Sequence, residues 1–303
     1  MTDNAPTADD KKLIGTVIEN RFVLEKILGR GGISTVYEAK HNRVDLTVAV
    51  KVLHTHYTDT EESVERFKRE AIIINALNHP NIVHMISHGV LDGPRPYLVL
   101  EHLDGRGLDE ILDEEQRLDE EATVKIIGAV VEGLKFAHDL GIVHRDIKPS
   151  NVMLVQKLSE SDQPYIKGEV TNLKLLDFGI AKCQSQDQFS QKLTQPGYIF
   201  GSPLYMSPEQ CMGNDIGIPS DIYSLGCMFY EMLAGAPPLR GQSSMHTFAM
   251  HLYEMPPAFD TLATPVKVSP AVQEIIFKCL AKKPEQRYSS AHELSAAIAD
   301  LSN

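Results

Sequence analysis

No apolar run in the 303-residue sequence approaches the roughly 20 residues needed to cross a bilayer. Its start, "MTDNAPTADDKK", is too polar for a signal peptide. Both absences lead to the expectation of a cytoplasmic chain with no membrane segment. Cysteine is scarce. Cys183, Cys211, Cys227 and Cys279 are scattered, with no CxxC pair and no metal-ligand spacing, and read as reduced thiols. The 12 histidines form no HExxH, and "LHTHY" around His54 and His56 reads as loop rather than metal site. Positive charge is in deficit: 29 Lys and Arg against 41 Asp and Glu leave a net charge of −12. That balance argues against nucleic acid or an anionic membrane as the main partner. No internal repeat is found.

What is present is a globular composition, 43% hydrophobic and 23% charged, on a chain long enough for one to three domains. Residues 1–12 read as a disordered tail. From Phe22 to Glu101 the signals are mostly strands: "RFVLEKIL", "TVYEAK", "LTVAVKVL" and "PYLVLEH" are β-branched or alternating. One helix interrupts them, with Val64, Phe67, Ala71 and Ile74 at helical spacing. Beyond Leu103 the character is helical. Val124, Ile127, Val131 and Leu134 mark a long helix, "SDIYSLGCMFYEMLAG" another closed by Gly235, and serines open "SPAVQEIIFKCL" and "SAHELSAAIADL". A small strand-rich lobe before a larger helical one predicts a two-lobed α+β enzyme with its cleft where the lobes meet. The acidic stretch from Leu108 to Glu121 straddles the first two helices of the second lobe and reads as a solvated face.

"ILGRGGISTVYEAK" packs Gly29, Gly31 and Gly32 into four positions. A tight hairpin would explain them, and so would a backbone laid bare against phosphate oxygens. The next strand, "TVAVKVL", puts Val48, Val50 and Val52 on one face and Ala49 and Lys51 on the other. A flat ligand over Ala49, with charge near Lys51, is one reading; an edge lysine in water is the other. Glu70 borders the apolar stripe of the following helix, where a carboxylate needs a partner, and Lys51 is the natural cation. In "IVHRDIKPSNVML", His144, Arg145, Asp146, Lys148 and Asn151 crowd between apolar flanks, so a site must satisfy them. "LKLLDFG" then sets Asp177 at the end of an apolar strand. Asn151 and Asp177 are oxygen ligands suited to a hard cation such as Mg²⁺.

Gly29–Val36, "VAVK", Glu70, "HPNIV", "HRDIKPSN", "DFG" and "SPE", in that order, resemble the eukaryotic-type (Hanks-type) protein kinases, most closely their bacterial Ser/Thr branch. The likeness runs from about Ile18 to Leu301. It implies the kinase fold, with a small antiparallel-sheet N-lobe carrying one helix (about 13–102) and a mainly helical C-lobe (about 103–303). It implies ATP with Mg²⁺, or Mn²⁺ in its place. Carried over position by position, Leu28, Gly29, Arg30, Gly31, Gly32 and Val36 would cover the nucleotide. Lys51, held by Glu70, would contact the α- and β-phosphates. Glu101 and Leu103 would meet adenine between Ala49 and Met153, with Leu100 as gatekeeper. Asp146 would orient or deprotonate the acceptor hydroxyl, Lys148 would steady the transferred group, and Asn151 and Asp177 would hold the metal. Glu209 would pair with Arg287, and Asp221 would anchor the catalytic loop.

Lys148 in "DIKPSN" and Ser202 in "GSPLYMSPE" fit Ser/Thr acceptors on protein substrates. Gly107 and Ser150 stand where arginine-directed relatives commonly carry glutamates, so the resemblance implies no such pocket. Autophosphorylation is expected at Thr194, opposite Arg145, with Ser185 and Ser190 as weaker candidates. Three departures stand out. Ser34 replaces the third glycine of the loop. Residues 156–172 lengthen the link to "DFG" and read as a surface hairpin. Many bacterial relatives continue into a membrane span and sensor domain, which this sequence does not show. The alternatives are a nucleotide-binding pseudokinase or scaffold, and a small-molecule phosphotransferase. Intact Lys51, Asp146, Asn151 and Asp177 speak against the former, and the SPE segment with Arg287 against the latter.

Overall fold

A computed structural model describes residues 5–54, 61–91, 93, 95–155, 172–178 and 203–302. The described residues divide into two compact units. One takes in those up to Asn78 together with Val83–Asp104, and the other His79–Ile82 and those from Gly105 onward.

The first unit is a six-stranded antiparallel sheet. Its strands are β1 (Val17–Ile18), β2 (Phe22–Arg30), β3 (Ser34–His41), β4 (Thr47–Leu53), β5 (Met85–Leu91) and β6 (Arg95–Glu101), in the order β1-β2-β3-β4-β6-β5. Alternation along β4 does what period two requires. Val48, Val50 and Val52 are buried with Phe22, Leu24, Tyr37 and Val99 on one face, and Ala49 and Lys51 are half-buried on the other. Helix α2 (Glu61–Ile74) covers the second face by packing Phe67 and Ala71 against Leu53, Met85 and Leu98. Strand β5 was not expected from the sequence. Its residues are mostly half-buried, so "MISHGVL" has no clean alternation, and only pairing with β6 fixes it as a strand.

The N-terminal expectation needs correction. Ala8–Lys12 form a helix, α1, whose N-cap Thr7 and third residue Asp10 make a reciprocal capping box. The stretch is polar enough to read as a tail, but Asp10 is buried against the sheet. Leu13, just beyond the helix, packs on the apolar face.

The second unit contains a three-stranded antiparallel sheet, β7 (Gly105–Gly107), β8 (Val152–Val155) and β9 (Leu173–Leu175), in that order. Around it lie α3 (Leu108–Glu115), α4 (Glu120–Asp139), α5 (Pro208–Met212), α6 (Ile218–Ala234), α7 (Ser244–Tyr253), α8 (Pro270–Cys279) and α9 (Ala291–Ala299). The end signals act as expected: Ser269 and Ser290 cap α8 and α9, and Gly235 closes α6 in the left-handed conformation. The apolar stripe of α4 (Ile126, Ile127, Val130, Val131, Leu134) is buried, and α6 and α9 lie beside that helix. The "HPNI" segment belongs to this unit. Asn81 donates from Nδ2 to Leu173 O (3.1 Å), and its own carbonyl accepts the Leu175 amide (2.8 Å).

Cys211, Cys227 and Cys279 are free and buried. Cys183, His56, Gly179, Ser202, the three candidate phosphosites Thr194, Ser185 and Ser190, and residues 156–171 of the insertion lie outside the described residues. Val155, just before that insertion, and Asn172, its last residue, are bonded to each other, amide to carbonyl, at 2.8 Å.

Candidate active site

In the first unit the glycines lie where β2 turns into β3. Gly29 pairs with Val36, and the Gly31 amide donates to Ser34 O at 2.8 Å. A Cβ on Gly29 or Gly32 would meet nothing within 4 Å, and neither residue has a positive φ. Neither packing nor backbone angle within the unit therefore requires glycine there. Among the described residues, then, the glycines leave the backbone of the turn bare. Ser34 is buried as the first residue of β3, in keeping with a place beyond the bare part of the turn. Leu28 is exposed. Arg30 turns its guanidinium to Asp10 at 2.9 Å, a contact that nothing in the local sequence marks.

The register places Val36 opposite Lys51 and Ala49 opposite Leu100, so these side chains share the face on which α2 packs. Glu70 is half-buried on α2, next to the buried Ala71. Lys51 thus lies on the sheet face that α2 covers, and Glu70 is carried by that helix. At the end of β6, Glu101 is tied to the start of β5: its amide donates to His84 O (3.0 Å) and its carboxylate accepts the His84 amide (2.8 Å). Leu103 follows, half-buried.

The second unit carries the remaining site residues on one loop and two short strands. Asp221, 1% exposed in the first turn of α6, organises them. Its Oδ2 accepts the His144 amide (2.7 Å) and faces His138 Nε2 (2.9 Å), and its Oδ1 accepts the Arg145 amide (2.8 Å). A buried carboxylate is costly without donors, and here three converge on it. Arg145 adopts φ 67°, a left-handed turn held by that carboxylate. His144 fixes the other side of the loop. Its Nε2 donates to Leu176 O (2.8 Å), and its Nδ1 accepts the Asp146 amide (3.3 Å). Burial pushes its pKa down, so the ring is neutral and its two nitrogens are distinct. The ring also packs on Phe178, with centroids 4.5 Å apart.

Asp146 is thereby presented with defined neighbours. Lys148 Nζ lies 3.0 Å from its Oδ2, and Asn151 Nδ2 donates to that Oδ2 (3.1 Å) and to the Asp146 carbonyl (2.7 Å). With the Asn151 nitrogen so used, its oxygen is the atom left to face a cation. Asp177 follows β9 with φ 53°, and the Leu176 amide bonds Asn151 O at 2.9 Å, so the two oxygen donors are coupled through one backbone contact. Met153 stands on β8 between Gly107 and Lys174. Farther along, Arg287 grips Glu209 bidentately (2.7 and 2.9 Å), and Ser220 Oγ adds a third donor. Burial would raise the Glu209 pKa, but the Arg287 hydrogen bonds outweigh it and hold it low.

His138 and Gln210 were not singled out from the sequence. Gln210 completes a capping box with Ser207 and donates to Arg145 O (3.2 Å), tying α5 to the catalytic loop. A histidine inside an amphipathic helix and a glutamine after "SPE" carry no signal of such contacts, which depend on segments 83 and 65 residues away in sequence.

Residues 22–297 match the family model for the protein kinase domain. The serine/threonine-protein kinase pkn3 of Myxococcus xanthus is 33% identical over 96% of this chain and 52% of its own length. PknB of Mycobacterium tuberculosis, also a serine/threonine-protein kinase, is 36% identical over 94% of this chain and 44% of its own. The chain thus spans about half the length of these curated relatives. The crystal structure of the M. tuberculosis PknI kinase domain matches with a TM-score of 0.70 at 24% identity, covering 95% of this chain and 98% of that one, and shows the shared fold. This chain belongs to the protein kinase family.

Proposed function

We propose that the chain is an ATP-dependent protein serine/threonine kinase that transfers the γ-phosphoryl group to Ser or Thr hydroxyls of protein substrates. The observation that carries this reading is the fixing of Asp146 between Lys148 and Asn151, on a loop tethered to buried Asp221. Phosphoryl transfer asks a protein mainly for positioning and charge stabilisation, and this loop is built for both. Asp146 positions the acceptor hydroxyl and takes its proton at a carboxylate oxygen. Lys148 places a positive charge beside that carboxylate, where charge builds on the transferred group.

The donor set fits Mg²⁺, with Mn²⁺ as substitute. Two protein oxygens, from Asn151 and Asp177, suit a hard cation that completes its shell with phosphate oxygens. ATP would supply the electrophilic γ-phosphoryl group, and the cation bound with it would neutralise charge on the phosphates. The bare glycines of the β2–β3 turn offer backbone amides to those phosphates, and Lys51, oriented by Glu70, adds the cation for the α- and β-phosphates. Glu101 and Leu103 serve adenine through their backbone. The proposed place of catalysis is the cytoplasm; among the described residues no helix is long and apolar enough to cross a membrane.

Autophosphorylation at Thr194 is part of the proposal. Arg145 lies beside the base, and a phosphothreonine adds about −1.5 to −2 charges that a guanidinium can take bidentately. Labelled-ATP transfer by the purified chain, wild type beside Asp146→Asn, with phosphosites mapped by mass spectrometry, tests the whole reading. The wild type should label Ser or Thr in substrate and itself, with Thr194 among the sites, and the variant should not. Nucleotide binding without transfer in the wild type would instead make the chain a pseudokinase.

A further inference from the structure

The described residue with the most unexpected surroundings is Asp10. It precedes the segment that matches the kinase family, residues 22–297, yet it is only 6% exposed. Its carboxylate accepts from Thr7 N (2.8 Å) and Thr7 Oγ1 (2.6 Å) within its own capping box. It also reaches into the sheet. Arg30 Nε donates to Oδ2 at 2.9 Å, and Thr35 Oγ1 donates to Oδ1 at 2.7 Å. Arg30 and Thr35 face each other across β2 and β3 and are the last pair before the glycine turn. The Asp10 carbonyl accepts a further bond from Tyr37 OH at 2.9 Å.

A second path runs through His54. Its Nε2 lies 3.0 Å from Thr35 Oγ1 and 3.8 Å from Asp10 Oδ1, and its Nδ1 donates to the Gly32 carbonyl at 3.3 Å. The His54 amide bonds Ile33 O at 2.9 Å. The turn from Arg30 to Thr35 is therefore held at both stems and at its middle by groups that converge on one buried carboxylate. Burial disfavours the charge, but the bonds from Thr7, Thr35 and Arg30 outweigh it, and the carboxyl pKa lies far below the ordinary range.

A pocket of about 450 Å³ is lined by Ala8 and Asp9 of α1 and by Val52, Leu53 and Arg95, among others. The bonds from Arg30 and Thr35 to Asp10 join α1 to the stems of the turn.

We propose that Asp10 is a positioning residue for the glycine-rich turn: through Arg30, Thr35 and His54 it holds residues 30–35 in the conformation that receives nucleotide phosphates. This rests on the reading of the turn as a phosphate cover. A turn held before ligand arrives loses less freedom on binding, so its tether appears in nucleotide affinity rather than in the chemical step.

The test is Asp10→Asn in the full chain, which keeps shape and removes charge. ATP affinity, KM for ATP and kcat are measured beside the melting temperature. Amide exchange over residues 29–35 is followed without nucleotide. The expected result is a rise of about tenfold in KM and in the ATP dissociation constant, equivalent to ~1.4 kcal/mol. The kcat should stay near wild type, and exchange should quicken in the turn, including at the Gly31 amide. A lower melting temperature with unchanged KM and unchanged exchange in the turn would make Asp10 a helix cap only and overturn the proposal. If the wild type itself fails to bind ATP, the phosphate reading of the turn falls. The exchange measurement then still decides whether Asp10 orders it.

Discussion

At Asp146 the position of one carboxylate depends on two neighbours, Lys148 at 3.0 Å and Asn151 at 3.1 Å. Asp146→Asn keeps the size of the side chain but removes the proton acceptor. Turnover should fall on the order of 10²–10⁴-fold while ATP affinity, measured by calorimetry, stays near wild type. Glu70 allows a different separation. Glu70→Asp keeps the charge and shortens its reach, so turnover should slow more than melting temperature drops. A melt that collapses while the folded remainder works normally would make Glu70 structural. Asp146, Lys148 and Asn151 could be picked out as candidates because they lie close together in sequence, in a polar cluster between apolar flanks. Asp10 was not. Its burial comes from Arg30 and Thr35, 20 and 25 residues further on, and alone it reads as a polar residue in a polar tail.

For the elements, end signals in the sequence translate directly into stability. Gly235 closes α6 at φ 81°, and a Cβ there would lie 2.8 Å from Gln116 O. Gly235→Ala combines left-handed strain of about 1–2 kcal/mol with a backbone contact that must give. We expect a loss of at least ~2 kcal/mol by chemical denaturation. Ser269→Ala removes only the cap bond to the Val272 amide and should cost about 1 kcal/mol. A larger loss at Ser269 than at Gly235 would contradict this account of the helix ends. Helices with a strong stripe and a cap could be read in advance, and so could strands with clean alternation. Strand β5 could not, because its half-buried residues show no period and only hydrogen bonding to β6 defines it.

For the molecule as a whole, acid sensitivity should arise in the second unit. His251 is fully buried, with Tyr223 OH 2.8 Å from its Nδ1. Burial, aided by the nearby Lys282 charge, lowers its pKa from 6.5 to about 4. The folded form therefore refuses a proton that the unfolded chain accepts. Stability is full above pH 6.5 and falls as pH drops toward 4, by on the order of 3 kcal/mol at most. Glu209, whose folded pKa lies below its ordinary 4.5, acts at still lower pH, where protonation removes its bond to Arg287. Melting curves from pH 7 to 4 should show a smaller loss in His251→Gln than in wild type, the remainder coming from His144, whose buried ring also resists protonation. Equal slopes in the two would assign the loss elsewhere.

By itself the sequence determined the class of fold, the family and the local chemistry of the catalytic loop. Those depend on periodicity, on helix-end residues and on polar groups that are near neighbours along the chain. Three features were decided only when distant segments met: the convergence of His138 and two amides on Asp221, the tie from Gln210 to Arg145, and the buried carboxylate of Asp10. A polar side chain carries no mark in the sequence of whether water or a donor from another segment will satisfy it. Tertiary packing removes the water, and the donors it brings instead fix what each such residue does.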